Sequence, residues 1–459
     1  MAKEKVKSPL TWAREYFDLF GHIKKPEDHL VPPQEKLVYW RGDFYEWRDG
    51  AYEIDADIDE KIRNYVASGG VSPSQELINT VKYNLRGPIY FLEKRVLNTW
   101  RTDTVNIDTP VTAITMMNGI LSFDDAGNTK FSAPTPDFFS VTKLPYKYDP
   151  KAICPLWEVF IEQVTNGDRA LMDLLQQWTG YLFTPTNKHQ VFLMCLGEAG
   201  MGKGTFVNVL MELVGKNNCS GISLRSFTNR FALYGTYGKL LNVAADVEEE
   251  LNPKTEGLIK EWTGEDLLTF EQKYGKTFYA KATAKLMMSA NSFPAFTDKS
   301  GGTWRRLLLA PFDRSNKGFI DPDLRDKFRG EMPGIFNWAM RGLAELKKNN
   351  KFTLPGNSKQ IQEALQKEAN PAGMFLRDNY VFYESSNTGA GSLDMYTAYV
   401  HWCGGHGYNH LSDKNFGKEV VRVFPQAKRQ KIGPRGARKY IYCGIKLDID
   451  AEIRQVGYY

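Results

Sequence analysis

Gly197-Glu198-Ala199-Gly200-Met201-Gly202-Lys203-Gly204-Thr205 is the stretch whose reading decides the fold. The apolar run before it, Val191-Phe192-Leu193-Met194-Cys195-Leu196, reads as a buried strand. Phe206 to Val214 reads as a helix that Gly215 closes. Strand, glycine-rich loop with Gly-Lys, and helix together form the context of a phosphate-binding loop. Glycines 197, 200, 202 and 204 let the backbone bend so that N–H groups face phosphates, and the helix N-terminus favours negative charge. Lys203 is placed to reach the outer phosphates of ATP. Gly204 stands where the Mg²⁺-binding Ser or Thr usually sits, so the metal is assigned to Thr205, one place later.

Working outward, a second apolar strand, Leu240 to Ala245, ends in acids. Asp246 is expected to hold Mg²⁺, directly or through water. A neighbouring glutamate would polarise the attacking water. Residues 246 and 248 face the same side of an extended chain, which favours Glu248 over Glu249 as the base. A third strand, Lys285 to Ala290, ends in Asn291, a candidate partner of the γ-phosphate or the water. Then Gly301-Gly302-Thr303 delivers Trp304-Arg305-Arg306 to the apolar Leu307-Leu308-Leu309-Ala310. Arginine suits the charge on a transferring phosphoryl group, often from a neighbouring subunit. Alternation sends Arg305 and Arg306 to opposite faces, and Arg305 is the favoured finger. Between the second and third strands, Lys273-Tyr274-Gly275-Lys276 reads as a hairpin tip that could touch a phosphate backbone and stack on a base.

At 459 residues the chain accommodates about three domains of ~150 residues. It contains no run of ~20 apolar residues, so no membrane span is expected. The first residues lack an apolar signal region. Cysteines 154, 195, 219, 403 and 443 are scattered without CxxC spacing, which suits a reducing cytoplasm. The net charge of +5 hides an uneven distribution: Leu411 to Leu447 carries ten Lys/Arg against two acids, a net of +8. This concentration suggests a polyanion-binding element. Leu393–Cys403 and Asp413–Val423 read as helices. Lys428 to Tyr442 reads as a basic hairpin whose Lys428, Arg429, Lys431, Arg435, Arg438 and Lys439 are candidate DNA-phosphate contacts. His401, Cys403, His406 and His410 match no common zinc spacing. Asp55 and Asp57 read as a helix start, where acids are favoured, and not as a polymerase metal pair.

Lys203, Asp246, the Lys260–Asp266 stretch, Asn291 and Trp304-Arg305-Arg306 follow one another in order. In this the chain resembles a superfamily 3 helicase of the phage and plasmid primase-helicase and poxvirus replication helicase type. The resemblance implies a hexameric AAA+ motor on single-stranded and forked DNA, with a primase or polymerase as replication partner. It makes Lys273–Lys276 the DNA-gripping tip and an arginine of 305–306 the finger in trans. The helices around Trp157–Phe183 resemble the segment that precedes the motor in that family. The expected fold is α/β: an AAA+ P-loop core with a mainly helical N-terminal region and a C-terminal winged helix. Expected boundaries are an α+β region over 1–150, the motor over 151–348, a helical linker over 349–391 and the winged helix over 392–459. ATP-driven unwinding during replication of a mobile element is the leading reading. An ATP-switched replication initiator, or the helicase part of a primase-helicase, is the alternative.

Overall fold

A computed structural model of the chain describes residues 7–23, 34–87, 89, 95–101, 110–123, 129–245, 250–273, 275, 277–296, 301–313, 323–368, 370–384, 387–434 and 438–448. It divides into two units, residues 1–294 with 300–358, and residues 295–299 with 359–459.

The first unit opens with helix Pro9–Phe20, whose N-cap Ser8 Oγ accepts from Thr11 N at 3.2 Å. Helices Ile58–Ser68 and Gln75–Leu85 pack against it through Trp12, Tyr16, Ile62, Val66, Ile78 and Val81. Two three-stranded antiparallel sheets accompany them, 37–40/43–48/51–54 and 113–116/119–123/129–132. The N-terminal region is therefore mixed α and β, which corrects the expectation of a mainly helical one. The period-two aromatic alternation from Val38 to Tyr52 builds strands, with Trp40, Tyr45 and Tyr52 buried. Asp57 is the N-cap residue of helix 58–68. Asp55 is buried against Lys61 at 2.8 Å. Helix-start and ion-pair roles thus account for both acids.

The centre of the unit is a five-stranded parallel sheet of Phe192–Leu196, Cys219–Ser220, Leu241–Ala244, Lys285–Ala290 and Leu307–Pro311. Its spatial order is 219–220, 241–244, 285–290, 192–196, 307–311. The first strand in sequence thus lies between the fourth and the fifth, with Leu193 opposite both Met287 and Leu308. Most of these side chains are buried, which explains why the strands read as continuous apolar runs and not as alternations.

Helices Pro155–Val164 and Arg169–Tyr181 precede the sheet, and Met332–Asn349 follows it. Asp168 Oδ1 caps 169–181 by accepting from Ala170 N and Leu171 N. Helix 155–164 takes its cap from far away in sequence: Glu331 accepts from Leu156 N at 3.1 Å and Trp157 N at 3.0 Å. Trp157 is fully buried, stacked on Phe206 and edge-on to Phe328 and Trp338. Helices 169–181 and 332–349 approach closely. A Cβ on Gly180 would lie 2.3 Å from the Ala339 carbonyl oxygen, and one on Gly342 would lie 2.4 Å from that of Gln176. Any larger residue would force the pair apart.

In the second unit, helices Pro371–Asn379, Ser392–His406 and Asp413–Val423 enclose a core of Phe375, Leu376, Tyr399, Phe416, Val420 and Tyr442. An antiparallel sheet runs in the order 389–391, 439–443, 428–432, and strand 380–382 pairs with 445–447. The unit begins well before residue 392. Helix 371–379, expected in a linker, supplies Phe375 to the core 5.6 Å from Tyr399. Gly389-Ala390-Gly391, a linker by composition, is a strand. Its glycine serves a close approach, since a Cβ on Gly389 would lie 1.9 Å from the Tyr442 carbonyl oxygen.

Candidate functional site

The loop from Gly197 joins the carboxyl end of the central strand to helix Lys203–Val214. Gly202 begins that helix at φ +93°, and Gly200 has φ +85°. Both are left-handed conformations that a side chain would strain. Gly202 is also crowded, because a Cβ there would lie 2.6 Å from Val164 Cγ1 and 3.5 Å from the Phe160 ring. Helix 155–164 therefore braces the loop from behind, a role that the amphipathic pattern of that helix could not reveal.

Lys203 is the hub of the site. It is 7% exposed. Its Nζ donates to the carbonyl oxygens of Gly197 and Glu198 and, at 3.0 Å, to Asn291 Oδ1. Burial pushes its pKa below the ordinary lysine value. A partly desolvated ammonium attracts an anion more strongly than one in water. Asn291 stands just beyond strand 285–290, which lies beside 192–196. Parallel pairing is what brings these two residues together across 88 positions of sequence. Gly204 is exposed with open space around it, and Thr205 is half-buried one place further along the helix. Asp246, Glu248 and Glu249 lie outside the described residues. Strand 241–244, which leads to them, pairs with 285–290.

Arg305 and Arg306 sit on a single 3₁₀ turn, Trp304–Arg306, immediately before strand 307–311. That is the amino end of the sheet. The five residues 307–311 separate it from the carboxyl end by roughly 16 Å. Neither arginine can reach the loop of its own chain. The turn also divides the pair. Arg306 is 8% exposed and donates from Nη1 to the Gly302 carbonyl oxygen at 3.0 Å, while Arg305 points to solvent.

Strands Leu268–Glu271 and Thr277–Ala280 form the expected hairpin, with Glu271 opposite Thr277 at the tip. Lys273 is exposed there, and Tyr274 and Lys276 lie outside the described residues. The base of the hairpin is anchored by Phe270 stacked on Phe278, with Tyr237 against both. The Arg41 guanidinium lies 4.5 Å from the Phe278 ring. Arg41 and the exposed Tyr279 were not expected at this site. Neither belongs to a local motif, and only alternation along 277–280 hints that Tyr279 faces outward.

In the second unit, hairpin 428–432/439–443 places Lys431 opposite Tyr440. Lys428, Arg429, Lys431, Arg438 and Lys439 are all exposed, and Arg435 lies outside the described residues. Arg429 lies 4.6 Å and Lys431 5.5 Å from the ring of Tyr440. Of the histidine group, His406 stacks on Trp402 with Nδ1 2.8 Å from its carbonyl oxygen, and His410 lies beside Tyr396. Among the described residues no helix is long and apolar enough to cross a membrane.

Residues 195–306 match a family of unknown function, DUF5906, and residues 371–449 match the RFX DNA-binding domain. DNA-binding protein RFX7 of Xenopus laevis is 36% identical over 63 residues, 14% of this chain and 4% of that protein. Protein sak1 of Schizosaccharomyces pombe is 43% identical over 53 residues, 12% of this chain and 7% of that protein. A candidate helicase of Acanthamoeba polyphaga mimivirus, L207/L206, is 23% identical over 194 residues, 40% of this chain and 20% of that protein. The chain thus spans between 4% and 20% of the length of these curated relatives. Two apo structures of the NrS-1 C-terminal region share the fold, with TM-scores of 0.55 and 0.51 at 12% and 11% identity. Both likenesses cover 96% of this chain and 100% of the other.

Proposed function

We propose that the chain is an ATP-driven DNA motor of the superfamily 3, AAA+ type, which unwinds forked DNA during replication of a phage, plasmid or similar element. The observation that carries this reading is Lys203, held at a helix N-terminus and bonded to Asn291 at the tip of the neighbouring strand. The residues fit a nucleotide phosphate chain. Two glycines in left-handed conformations, a helix N-terminus and a buried ammonium converge on one loop at the carboxyl end of a parallel sheet. Lys203 and the loop N–H groups would hold the outer phosphates. Thr205 and Asp246 would hold Mg²⁺, which supplies charge neutralisation on the transferring phosphoryl group. Asn291 would orient the γ-phosphate or the water, and Glu248 would accept its proton.

Arg305 would act on the neighbouring subunit, because its own loop is out of reach, and a ring, by the family resemblance a hexamer, supplies that neighbour. Lys273 to Lys276 would grip the single strand in the ring. The second unit would be a winged helix whose basic hairpin binds phosphates, in keeping with its match to a DNA-binding domain. A primase or polymerase would work beside it, and the cytoplasm is the expected compartment. The same match favours one second reading, an ATP-switched initiator that binds an origin without unwinding. Strand displacement on a forked duplex with ATP, comparing wild type and Lys203→Ala, tests the proposal. Displacement by wild type alone supports the motor. ATP hydrolysis and duplex binding by wild type without displacement would favour the initiator.

A further inference from the structure

A cavity of about 360 Å³ lies at the end of the sheet opposite the phosphate loop. Leu240 and Thr283 on its wall precede strands 241–244 and 285–290. Its volume falls in the usual range of small-ligand sites. Leu97, Val141, Tyr237 and Leu240 form apolar walls. The charge on its lining is lopsided: Arg41, Lys239 and Lys281 against Glu265 alone. The Arg41 guanidinium is enclosed by the rings of Trp40, Tyr237 and Phe278 at 4.6, 5.1 and 4.5 Å. Its Nη1 is buried with no hydrogen-bond partner among the described residues. Leu267 and Tyr279 stand at the mouth, 68% and 65% exposed. Tyr279 belongs to the shaft of hairpin 268–280, and Lys281 follows it directly.

Lys281 lies 3.8 Å from Glu265 and Lys239 Nζ donates to the Asn217 carbonyl oxygen, so the lining keeps a net positive charge centred on the unpartnered Nη1 of Arg41. An apolar slot with such a wall and an exposed aromatic at its mouth matches an aromatic base carrying a phosphate. Cations beside exposed rings are how single strands are held without regard to sequence. We propose that this cavity receives one nucleotide, its base between the apolar walls and Tyr279 and its phosphate towards Arg41, Lys239 and Lys281. The source is a single strand following hairpin 268–280, and this part rests on the motor reading. The site is separate from the ATP loop, from which the length of the sheet divides it.

The test uses the full chain and two probes, an oligo(dT) strand carrying one 5-iododeoxyuridine and the mononucleotide dTMP. Irradiation and peptide mapping should place the cross-link on Tyr279 or Tyr237. Thr186→Trp, which fills the slot from a half-buried rim position, and Lys281→Glu, a surface change, should each weaken oligo(dT) binding roughly tenfold, the scale of one stacked base. DNA-free ATP hydrolysis should not change in either. Cross-links elsewhere, with both variants binding as wild type does, would overturn the cavity and leave the motor reading standing. If oligo(dT) does not bind but dTMP does, and Thr186→Trp abolishes it, a free mononucleotide is the occupant and the motor reading falls. Binding of neither probe overturns the proposal.

Discussion

At the carboxyl end of the parallel strands, Lys203 meets Asn291 within one loop and one neighbouring strand tip. At the amino end, Arg41, Lys239 and Lys281 converge from the N-terminal sheet, the turn before strand 241–244 and the exit of hairpin 268–280. In the first arrangement the loop and its lysine are local, and one pairing of neighbouring parallel strands adds Asn291. A glycine loop must bend where its glycines stand, and the helix that follows presents the lysine. The second has no local cause. It exists because the turn between strands 37–40 and 43–48 carries Arg41 onto the rings of Tyr237 and Phe278. The carboxyl end is where nucleotide chemistry is expected in such sheets, and the amino end is free to be used for something else.

The largest effect should come from the carboxyl end. Lys203→Ala should reduce ATP hydrolysis by three orders of magnitude or more, with the melting temperature close to wild type. Retained turnover would remove the loop from the chemistry.

The two adjacent arginines sharpen the contrast at the amino end. Arg305→Ala should leave nucleotide affinity nearly intact and cut hydrolysis roughly a thousandfold, as a finger acting on the transition state does. Mixing it with Lys203→Ala subunits should restore part of the activity. Arg306→Ala should instead lower the melting temperature, because Arg306 is buried and bonded to Gly302. No recovery in rings shown to be mixed by native mass spectrometry would move the finger away from Arg305.

Removing the second unit tests whether DNA affinity is divided between the units. A chain ending at Ser358 should still hydrolyse ATP, but bind DNA more weakly and with a flatter salt dependence, because the cations of hairpin 428–443 are gone. Cutting after Gly391 should be worse than cutting after Ser358. It strands Phe375, Leu376 and Tyr380 without the core that covers them. Equal solubility of the two truncations would contradict that boundary.

The smallest effect is a dependence on pH. Lys285 is fully buried, donates to the Thr184 carbonyl oxygen at 2.9 Å and lies 4.7 Å from the Tyr181 ring. Burial lowers its pKa to about 7, against about 10.4 for an unfolded chain. Between those values the unfolded state binds more protons, so this group makes stability rise with pH across that window. Below pH 7 its destabilising effect is complete. Lys285→Met should therefore show its largest gain in melting temperature near pH 7 and a smaller one near pH 10. A gain independent of pH would show that burial does not lower the pKa of this lysine.

The core strands and the loop helix were legible because burial on both faces leaves continuous apolar runs, and because a Gly-Lys loop has few uses between a strand and a helix. The start of helix 155–164 was less so, since its cap is Glu331, some 174 residues away. Phe160 and Val164 read as core and prove to be braces for Gly202. The N-terminal limit of the second unit was missed for a physical reason. Gly389-Ala390-Gly391 has the composition of a linker, but its glycines allow a strand to lie against Tyr442. Strand alternation favoured Arg305 over Arg306, but both lie on a 3₁₀ turn, and it is the burial of Arg306 there that tells them apart.

The glycine-mediated contact of helices 169–181 and 332–349 has a mechanical consequence. Strand 307–311 is an edge strand, and the chain leaves it for helix 332–349 and then the second unit. A pull on the second unit would otherwise peel that edge from the sheet one hydrogen bond at a time. With the two helices locked, the load enters a broad packed face and is shared before it reaches the strand. Under tension applied at residue 359, the clamp should yield before the sheet, and force spectroscopy that showed strand 307–311 detaching first would refute this order. The parallel sheet is in this sense suspended by both its ends from one joint.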